Sequence, residues 1–513
     1  MTAVAAVAVA PQASPVGYRA RRLQVDSGQE PIVYLHRDSA VCRAEGFESE
    51  TRILVRLGAR TILATLNVVT GSLLTVTEAG LSESAWSQLG AAEGVELSFT
   101  HPPPLESLSL VRAKIHGRRL DAPALAAVVG DIAAGRYSDI HLASFLTACA
   151  GDRLDRQEMI DLTLAMVASG DRIDWGRSPI LDKHSVGGLP GNRTTIVIVP
   201  IVAAAGVIMP KTSSRAITSP AGTADTMEML APVVLDQRHL RQVVEQEGAC
   251  IAWGGAARLS PADDVLIRVE RPLDLDSTGQ LVASVLSKKA AAGATHVIID
   301  LPVGPTAKIR SVAEAERLSQ HLRGVGEAIG LRVQPVMTDG AQPVGRGLGP
   351  ALEARDALAV LQNALEAPTD LRERALLLAG YILELAGAAP AGSGQALARE
   401  ILLDGRAWRK FQAICRAQGG LREPPVAAFT RPLPAAKRGR VFRIDNRRLA
   451  RVAKLAGAPS DPSAGLMLHV RLGSLVVPGD PLFTVHAESV GALEYALAYA
   501  TAYGDIITLG ADP

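Results

Sequence analysis

The sequence has few cysteines and almost no net charge. Its four cysteines, Cys42, Cys149, Cys250 and Cys415, lie far apart without a Cys-x-x-Cys pair. That spacing disfavours a disulfide framework or a zinc site and predicts buried free thiols in a reducing cytoplasm. The formal net charge is +1, from 53 basic and 52 acidic residues. The charge balance therefore gives no indication of nucleic acid or an anionic membrane as a partner.

The sequence also lacks a segment suited to membrane insertion or export. The apolar run from Ile196 to Pro210 is shorter than the ~20 residues that a spanning helix needs, and Pro200 interrupts it. The opening segment, Met1 to Pro15, lacks the basic start of a signal peptide, so we expect a disordered tail there. With 48% hydrophobic and 20% charged residues in 513, the composition predicts a soluble cytoplasmic protein of several domains.

Changes in hydrophobic periodicity predict the elements along the chain. β-rich runs come first, at Arg22–Val25, Ile32–Leu35, Ile53–Leu57 and Thr61–Val69, with one helix at Ser82–Gly90. Helices capped by Asp121, Ser138 and Asp155 follow the stiff Pro102–Pro104 linker. Strands then alternate with helices: Thr295–Leu301 and Leu331–Met337 as strands, Thr194–Ala205, Gln280–Ala292 and Ala307–Ile329 as helices. The last strands are expected near Arg440–Ile444, Met467–Arg471 and Leu482–His486.

These patterns predict an α/β fold class: a helical domain plus a mostly parallel α/β domain, flanked by N-terminal and C-terminal β-rich domains. The expected boundaries are 1–15 for the tail, 16–104 for the N-terminal β-rich domain and 105–174 for the helical domain. The α/β domain that binds phosphate and substrate is expected at 175–430, and a C-terminal α+β domain at 431–513. Ligands of such sheets gather at the carboxyl ends of the strands.

Two polar loops form the centre of the sequence. In the first, Gly187, Gly188 and Gly191 permit sharp turns and close approach of main-chain N–H groups to an anion, and a helix follows from Thr194. The second loop is rich in Ser and Thr and precedes a short helix from Ala224. Lys183, Ser185 and Arg193 add donors to the first loop, so an oxyanion, above all phosphate, is the expected ligand.

Other motifs are excluded by their spacing. The first loop lacks the Gly-Lys-Ser/Thr of a P-loop, so hydrolysis of a nucleoside triphosphate is not indicated. Gly345, Gly347 and Gly349 do not have dinucleotide-binding spacing and predict a turn into a helix. The segment at Gly473 resembles a biotinyl or lipoyl carrier but has no lysine at a plausible hairpin tip.

The run from Asp182 to Glu228 resembles the thymidine and pyrimidine nucleoside phosphorylases, specifically the long (type 2) subfamily that also contains the AMP phosphorylases. The segment Pro343 to Gly349 resembles a further characteristic segment of these enzymes. The resemblance implies a pentosyltransferase with an N-terminal module that shorter members lack. It also implies that helices form one wall of the substrate cleft, and that neither a metal nor an organic cofactor is needed.

The resemblance assigns roles residue by residue. In the AMP phosphorylase branch the general acid corresponds to Asp276, and the nucleotide-contacting positions are Gly188, Ser214, Arg215, Ala216, Ile217, Thr218, Ser219, Thr223, Ser284 and Lys308. In the nucleoside branch the positions that contact phosphate are Lys183, Ser185, Ser213 or Ser214, and Thr223, and those that face the base are His184, Arg268, Ser284 and Lys288. We therefore expect Asp276, His184 and Lys288 to be catalytic, although His184 has a second interpretation as a brace for the loop.

Departures from the nucleoside branch leave the substrate open. Asn192 replaces an acidic residue, Arg193 is added, and Ala221 replaces a glycine, all in the direction of the AMP-cleaving branch. A bidentate arginine suits a substrate that carries its own 5′-phosphate. The expected partners are inorganic phosphate and either a pyrimidine nucleoside or a nucleoside monophosphate, bound by a homodimer or larger homo-oligomer.

Two other classes of function compete with phosphorolysis. A phosphoribosyltransferase would need a magnesium-binding acidic pair near the loops, for which Asp263 and Asp264 are the candidates. A non-catalytic nucleotide sensor would bind nucleotide tightly without releasing the base.

Overall fold

The computed structural model describes residues 17–44, 47, 51–216, 219–257, 259–273, 275 and 277–510. It divides into two compact units, residues 1–118 with 130–146, and residues 119–129 with 147–513. Three predicted site residues, Asp276, Ile217 and Thr218, lie outside the described residues, as does the predicted tail.

The first unit contains a closed barrel of β1 (Tyr18–Arg22), β2 (Ile32–His36), β3 (Arg52–Leu57), β4 (Arg60–Val69), β5 (Glu78–Leu81) and β6 (Glu96–Thr100), in the order β1-β5-β2-β4-β3-β6. Val33 and Leu35 alternate inward with polar neighbours, which is the period of a half-buried strand. The prediction of β2, β3 and β4 is confirmed, whereas the first strand lies earlier than expected. Helix α2 (Glu83–Leu89) has the predicted Ser82 cap, and α1 (Ala40–Ala44) is a helix that the sequence did not indicate.

Four helices follow the barrel: α3 (Ser107–Ile115), α4 (Ala122–Ala133), α5 (Asp139–Cys149) and α6 (Arg156–Ala168). The three predicted caps are confirmed, since Asp121, Ser138 and Asp155 each accept a main-chain N–H from three residues further on. Helix α3 was not predicted. Asp155 and Glu158 form a reciprocal capping box that fixes the start of α6.

The second unit contains a parallel sheet of β7 (Leu181–Ser185), β8 (Met209–Ser213), β9 (Ala249–Trp253), β10 (His296–Val303) and β11 (Arg332–Asp339). Strand β10 pairs in parallel with β7 and β11, β8 pairs in parallel with β9, and a parallel bridge joins Ile180 to Ile208. The mostly parallel sheet confirms the predicted α/β fold class. Parallel strands place all their carboxyl ends, and the loops that follow them, at one edge.

Helices cover this sheet: α7 (Thr194–Ala204), α8 (Thr223–Glu228), α9 (Gln237–Glu247), α10 (Pro261–Leu273), α11 (Thr278–Ala291), α12 (Val312–Ala328), α13 (Pro350–Leu361), α14 (Thr369–Leu385), α15 (Gly394–Leu403) and α16 (Arg406–Ala417). Residues Thr194 to Ala203 of α7 are all buried, most of them in the main core, which explains its continuous apolar sequence. The predicted start of α12 at Ala307 is wrong. Ser311 caps the helix, which leaves Lys308 in the preceding loop.

The C-terminal part contains β12 (Gly347–Leu348), β13 (Phe429–Pro434), β14 (Gly439–Ile444), β15 (Gly465–Leu468), β16 (Leu475–Val476), β17 (Pro481–Ala487) and β18 (Ile507–Gly510), with helices α17 (Asn446–Leu455) and α18 (Val490–Ala502). The strands form two sheets, β12-β15-β17-β13 and β16-β14-β18. The predicted strands near Arg440 and Leu482 are confirmed, and the one at Met467 ends earlier than expected. Gly349 directly precedes α13, which confirms the predicted turn.

The cysteines and the apolar segments can now be placed. All four cysteines are free, and Cys149, Cys250 and Cys415 are buried as predicted, whereas Cys42 is half-buried. In the described ranges, none of the helices combines the length and the apolar content that crossing a membrane requires.

Candidate active site

The first loop, residues 186–193, joins β7 to α7 with the geometry that its glycines predict. Gly187, Gly188 and Gly191 all have positive φ angles, of 92°, 75° and 74°. A Cβ atom on Gly188 would lie 2.5 Å from the main-chain nitrogen of Lys308, so this position accepts only glycine without rearrangement. The predicted site residues Gly188 and Lys308, far apart in the sequence, are therefore neighbours.

Asp300 fixes the start and the end of the first loop. This residue of β10 is fully buried. Its Oδ2 accepts hydrogen bonds from Ser185 Oγ at 3.0 Å and from Asn192 Nδ2 at 2.9 Å, while its Oδ1 accepts one from Thr338 Oγ1 at 2.6 Å. Lys183 Nζ lies 4.0 Å from Oδ2 and donates to Thr194 Oγ1. The two predicted phosphate ligands on β7 thus share one buried carboxyl group.

The pKa of Lys183 is lowered because its side chain is buried. Burial lowers the pKa of Lys183 to about 8; Asp300 opposes this shift, whereas Arg193 and Arg374 add to it. Lys183 is therefore mainly protonated at neutral pH. The carboxylate of Asp300 lies 4.0 Å from this ammonium group, and an oxyanion bound closer to it would further favour its charged form.

A second charge cluster lies beside Lys183 at Asp182. The carboxyl oxygens of Asp182 lie 3.0 Å from Lys211 Nζ and 2.7 Å from Lys289 Nζ, and all three side chains are buried. Burial opposes ionisation of Asp182, but the two lysines hold its pKa below the usual value. Burial lowers the pKa of Lys211 to about 7, although Asp182 opposes this shift, so Lys211 is only partly protonated at neutral pH.

His184 lies near these lysines and is neutral at physiological pH. Burial, followed by the positive charges of Lys289, Lys211, Lys183 and Lys288, lowers the pKa of His184 well below its usual value. An imidazole in this form offers one N–H donor and one acceptor nitrogen. It is suited to contact a base and poorly suited to supply a proton.

The described residues of the second loop, 214–216 and 219–222, contact the carboxyl group of Asp225 in α8 through two main-chain N–H groups. Oδ2 of Asp225 accepts the main-chain N–H groups of Ala216 at 2.7 Å and Gly222 at 2.8 Å. Arg215 makes two hydrogen bonds to Glu228, at 2.6 and 3.0 Å, and one to Asp225. The predicted substrate contact Arg215 is thus already paired. Ser214 is exposed, and Ser219 donates to Ala221 O.

Arg193 connects the two loops. Its Nε donates to Oε2 of the buried Glu353, its Nη2 donates to Ala221 O at 2.6 Å, and its Nη1 lies 3.4 Å from Thr223 Oγ1. The guanidinium group therefore places the first loop beside Thr223, a predicted phosphate ligand. A direct contact of Arg193 with a substrate phosphate stays a prediction.

Two of the residues predicted to face the base, Ser284 and Lys288, meet at Asp263 between α10 and α11. Lys288 Nζ lies 2.5 Å from Asp263 Oδ2, which also accepts a hydrogen bond from Ser284 Oγ at 3.0 Å. Burial acts to lower the pKa of Lys288, but Asp263 and Asp264 raise it above its usual value, so Lys288 stays protonated. Arg268 lies on α10 with Asp263. The second member of the candidate acidic pair also lies near this lysine, with Asp264 Oδ1 3.9 Å from Lys288 Nζ.

Sequence reasoning missed the buried acids that organise the site. Asp300 and Glu353 received no role, although an acidic residue inside the apolar segment Thr295–Leu301 was a signal, because a carboxyl group is rarely buried without partners. Asp182 and Asp225, which lie within the run from Asp182 to Glu228, also received no role. All four act on other side chains or on loop main chain.

Comparisons with known proteins agree with this architecture. Residues 108–170 match the “Glycosyl transferase family, helical bundle domain”, residues 177–408 the “Glycosyl transferase family, a/b domain”, and residues 441–506 the “Pyrimidine nucleoside phosphorylase C-terminal domain”. In solved structures, anthranilate phosphoribosyltransferase from Thermus thermophilus has a similar fold, with a TM-score of 0.51 and 22% identity over 60% of this chain and 98% of that chain. That likeness concerns the fold alone.

Curated relatives share nearly the whole chain. A protein of Polaromonas sp. (strain JS666 / ATCC BAA-500) named “Putative thymidine phosphorylase” is 64% identical over 96% of this chain and 97% of its own length. A protein of the same name from Legionella pneumophila subsp. pneumophila (strain Philadelphia 1) is 57% identical over 98% of this chain and 97% of its own. With similarity of this extent, the chain belongs to the thymidine and pyrimidine nucleoside phosphorylase family of pentosyltransferases.

Proposed function

We propose that this protein catalyses the phosphorolysis of thymidine, or of another pyrimidine nucleoside, to free base and 2-deoxyribose 1-phosphate. The observation that carries the proposal is that the buried cation Lys183 and the hydroxyl of Ser185 both lie beside Asp300, while Arg193 at the end of the same loop contacts Thr223. This arrangement supports a phosphate site in which phosphate is a substrate.

The reaction forms one bond and breaks one. A phosphate oxygen bonds to C1 of the sugar, the glycosidic C–N bond breaks, and its electron pair leaves with the base nitrogen, which a general acid protonates. Lys183, Ser185 and Thr223 hold the phosphate in this proposal. The positive charge of protonated Lys183 lowers the energy of the bound anion.

In this proposal the base contacts Ser284, Lys288 and Arg268, with neutral His184 as a further hydrogen-bonding group. Lys288 keeps its charge through Asp263 and can stabilise negative charge that develops on the departing base. Asp276 is proposed as the proton donor on the family resemblance alone. The neutral state of His184 makes it the weaker candidate, because a neutral imidazole is a far weaker acid than an imidazolium.

A second candidate function is phosphorolysis of a nucleoside monophosphate to base and ribose 1,5-bisphosphate. The replacement of an acid by Asn192, the added Arg193 and Ala221 favour it. In that reaction Arg193, Lys308 and Ser214 to Ser219 hold the nucleotide. The proposal further includes a cytoplasmic location, which the free cysteines support, a homodimer or larger homo-oligomer, and the domain boundaries given above.

The test is release of free base from thymidine, uridine, AMP and CMP, each with and without inorganic phosphate and without added metal. We expect phosphate-dependent release from thymidine or uridine. Release confined to AMP or CMP establishes the second candidate. Strict dependence on magnesium favours a phosphoribosyltransferase, and tight nucleotide binding without release favours a sensor.

A further inference from the structure

Glu353 is a buried acid that neither the family resemblance nor the proposed reaction uses. It lies in the first turn of α13, and its carboxyl group is inaccessible to solvent. Oε2 accepts hydrogen bonds from Arg193 Nε and, at 3.2 Å, from Thr226 Oγ1, while Oε1 accepts the N–H of Gly349 at 3.3 Å. Its partners come from the end of the first loop, from α8 behind the second loop, and from the turn before α13.

The opposite side of Arg193 contacts the second loop. One terminal nitrogen donates to Ala221 O, and the other lies 3.4 Å from the hydroxyl of Thr223. All three guanidinium nitrogens therefore face protein partners. The side chain is 11% exposed. A single arginine bridges the buried carboxyl group and the residue expected to hold phosphate.

We propose that Arg193 and Glu353 form a clamp that holds Thr223 and the second loop in register with the first loop, and that Glu353 is a positioning residue for the phosphate site. This inference rests on the proposed function and refines it. On this proposal Arg193 serves the loops and does not hold the nucleotide, so the case for the second candidate function rests on Asn192 and Ala221 alone.

The cost of leaving a buried charge unpaired opposes any movement of Arg193 away from Glu353 when substrate binds. A buried ion pair is stable only while both charges are hydrogen-bonded, and removal of one partner leaves an uncompensated charge. Burial already raises the pKa of Glu353, and Arg193 opposes that shift. If Arg193 turned toward a substrate, Glu353 would be left with only two neutral donors, Thr226 and Gly349.

The test compares the full-length protein with Glu353→Gln, Arg193→Met and a control, Glu158→Gln. Glu158 is also buried and accepts the N–H of Leu120 at 2.8 Å, away from both loops. Binding of inorganic phosphate is measured by calorimetry, KM and kcat are measured for phosphate, thymidine and AMP, and Tm is recorded for each protein.

We expect Glu353→Gln and Arg193→Met to weaken phosphate binding about tenfold or more, because a charged hydrogen-bonded partner is lost. KM for thymidine should change far less than KM for phosphate, and Arg193→Met should impair thymidine and AMP cleavage by the same factor. Glu158→Gln should lower Tm without changing phosphate binding. If Glu353→Gln does not fold, Thr226→Val removes one donor from the same carboxyl group at a smaller cost.

Two outcomes overturn the clamp: unchanged or tighter phosphate binding in Glu353→Gln, or a loss confined to AMP cleavage in Arg193→Met. Failure of the proposed function is a separate result. If the wild-type protein binds phosphate but releases no base, the calorimetric comparison of the variants still decides the clamp. A wild-type protein that does not bind phosphate refutes it.

Discussion

Replacement of Asp300 by Asn should move the pH at which phosphate binding is lost. The carboxyl group of Asp300 lies 4.0 Å from Lys183 Nζ and opposes the effect of burial on that lysine, whose pKa is about 8. Asn keeps the shape and one acceptor oxygen of Asp but cannot carry its negative charge. The variant thus changes the electrostatics of Lys183 more than the packing around it.

The magnitude follows from the distance. At an effective dielectric constant of about 20, two unit charges about 4 Å apart interact by about 4 kcal/mol, which corresponds to about three pKa units as an upper value. We expect the pKa of Lys183 to fall by about one to three units in Asp300→Asn. Protonated Lys183 attracts phosphate, so affinity is present below its pKa and lost as the pH rises through it. The loss should begin near pH 8 in the wild type and at least about one unit lower in the variant.

The assay is the dissociation constant of inorganic phosphate between about pH 4.5 and 9, a range that brackets the pKa of Lys183 in the wild type and the value expected in the variant. The titration of phosphate itself is common to all the proteins, so the difference between their profiles isolates the lysine. Asp356→Asn is the control, because Asp356 is also buried but accepts the N–H groups of Arg346 and Gly347. Parallel profiles for Asp300→Asn and the wild type would refute the reasoning, and the same shift in the control would show that it is not local.

Three further predictions concern the acid, the first loop and the buried charges. Asp276→Asn should lower kcat by about 10²- to 10⁴-fold with a smaller change in KM, and near-normal turnover would mean that the proton comes from another group. Gly188→Ala should weaken phosphate binding more than Gly187→Ala. Both glycines have positive φ, but only at Gly188 would the added Cβ clash with a main-chain nitrogen, that of Lys308. Equal effects of the two substitutions would mean that backbone strain, and not the clash, is the cause. Asp182→Asn should lower the free energy of unfolding, measured with urea, by about 3–5 kcal/mol, because two buried lysines lose their anion, and a change below about 1 kcal/mol would contradict the importance of that cluster.

The sequence contained most of the information about the elements because their signals are local. The caps Asp121, Ser138 and Asp155 act within one helical turn. The continuous apolar sequence of α7 indicates by itself that this helix is buried. The error at α12 has the same origin. Ala307 to Ile309 has helical composition, but Ser311 offers a better cap, and the packing of the Lys308 main chain against Gly188 keeps the segment in a loop.

Only the tertiary structure shows which charged residues of the site pair with each other. The residue types of the site and its two loops follow from the sequence and from the family resemblance, because glycine, hydroxyl and cationic side chains are local properties. Asp300 meets Ser185 and Asn192, and Glu353 meets Arg193, across more than a hundred positions, and no local pattern encodes such a distance. Whether a cation is available to a ligand depends on which buried carboxyl group it meets, and only the folded chain decides that.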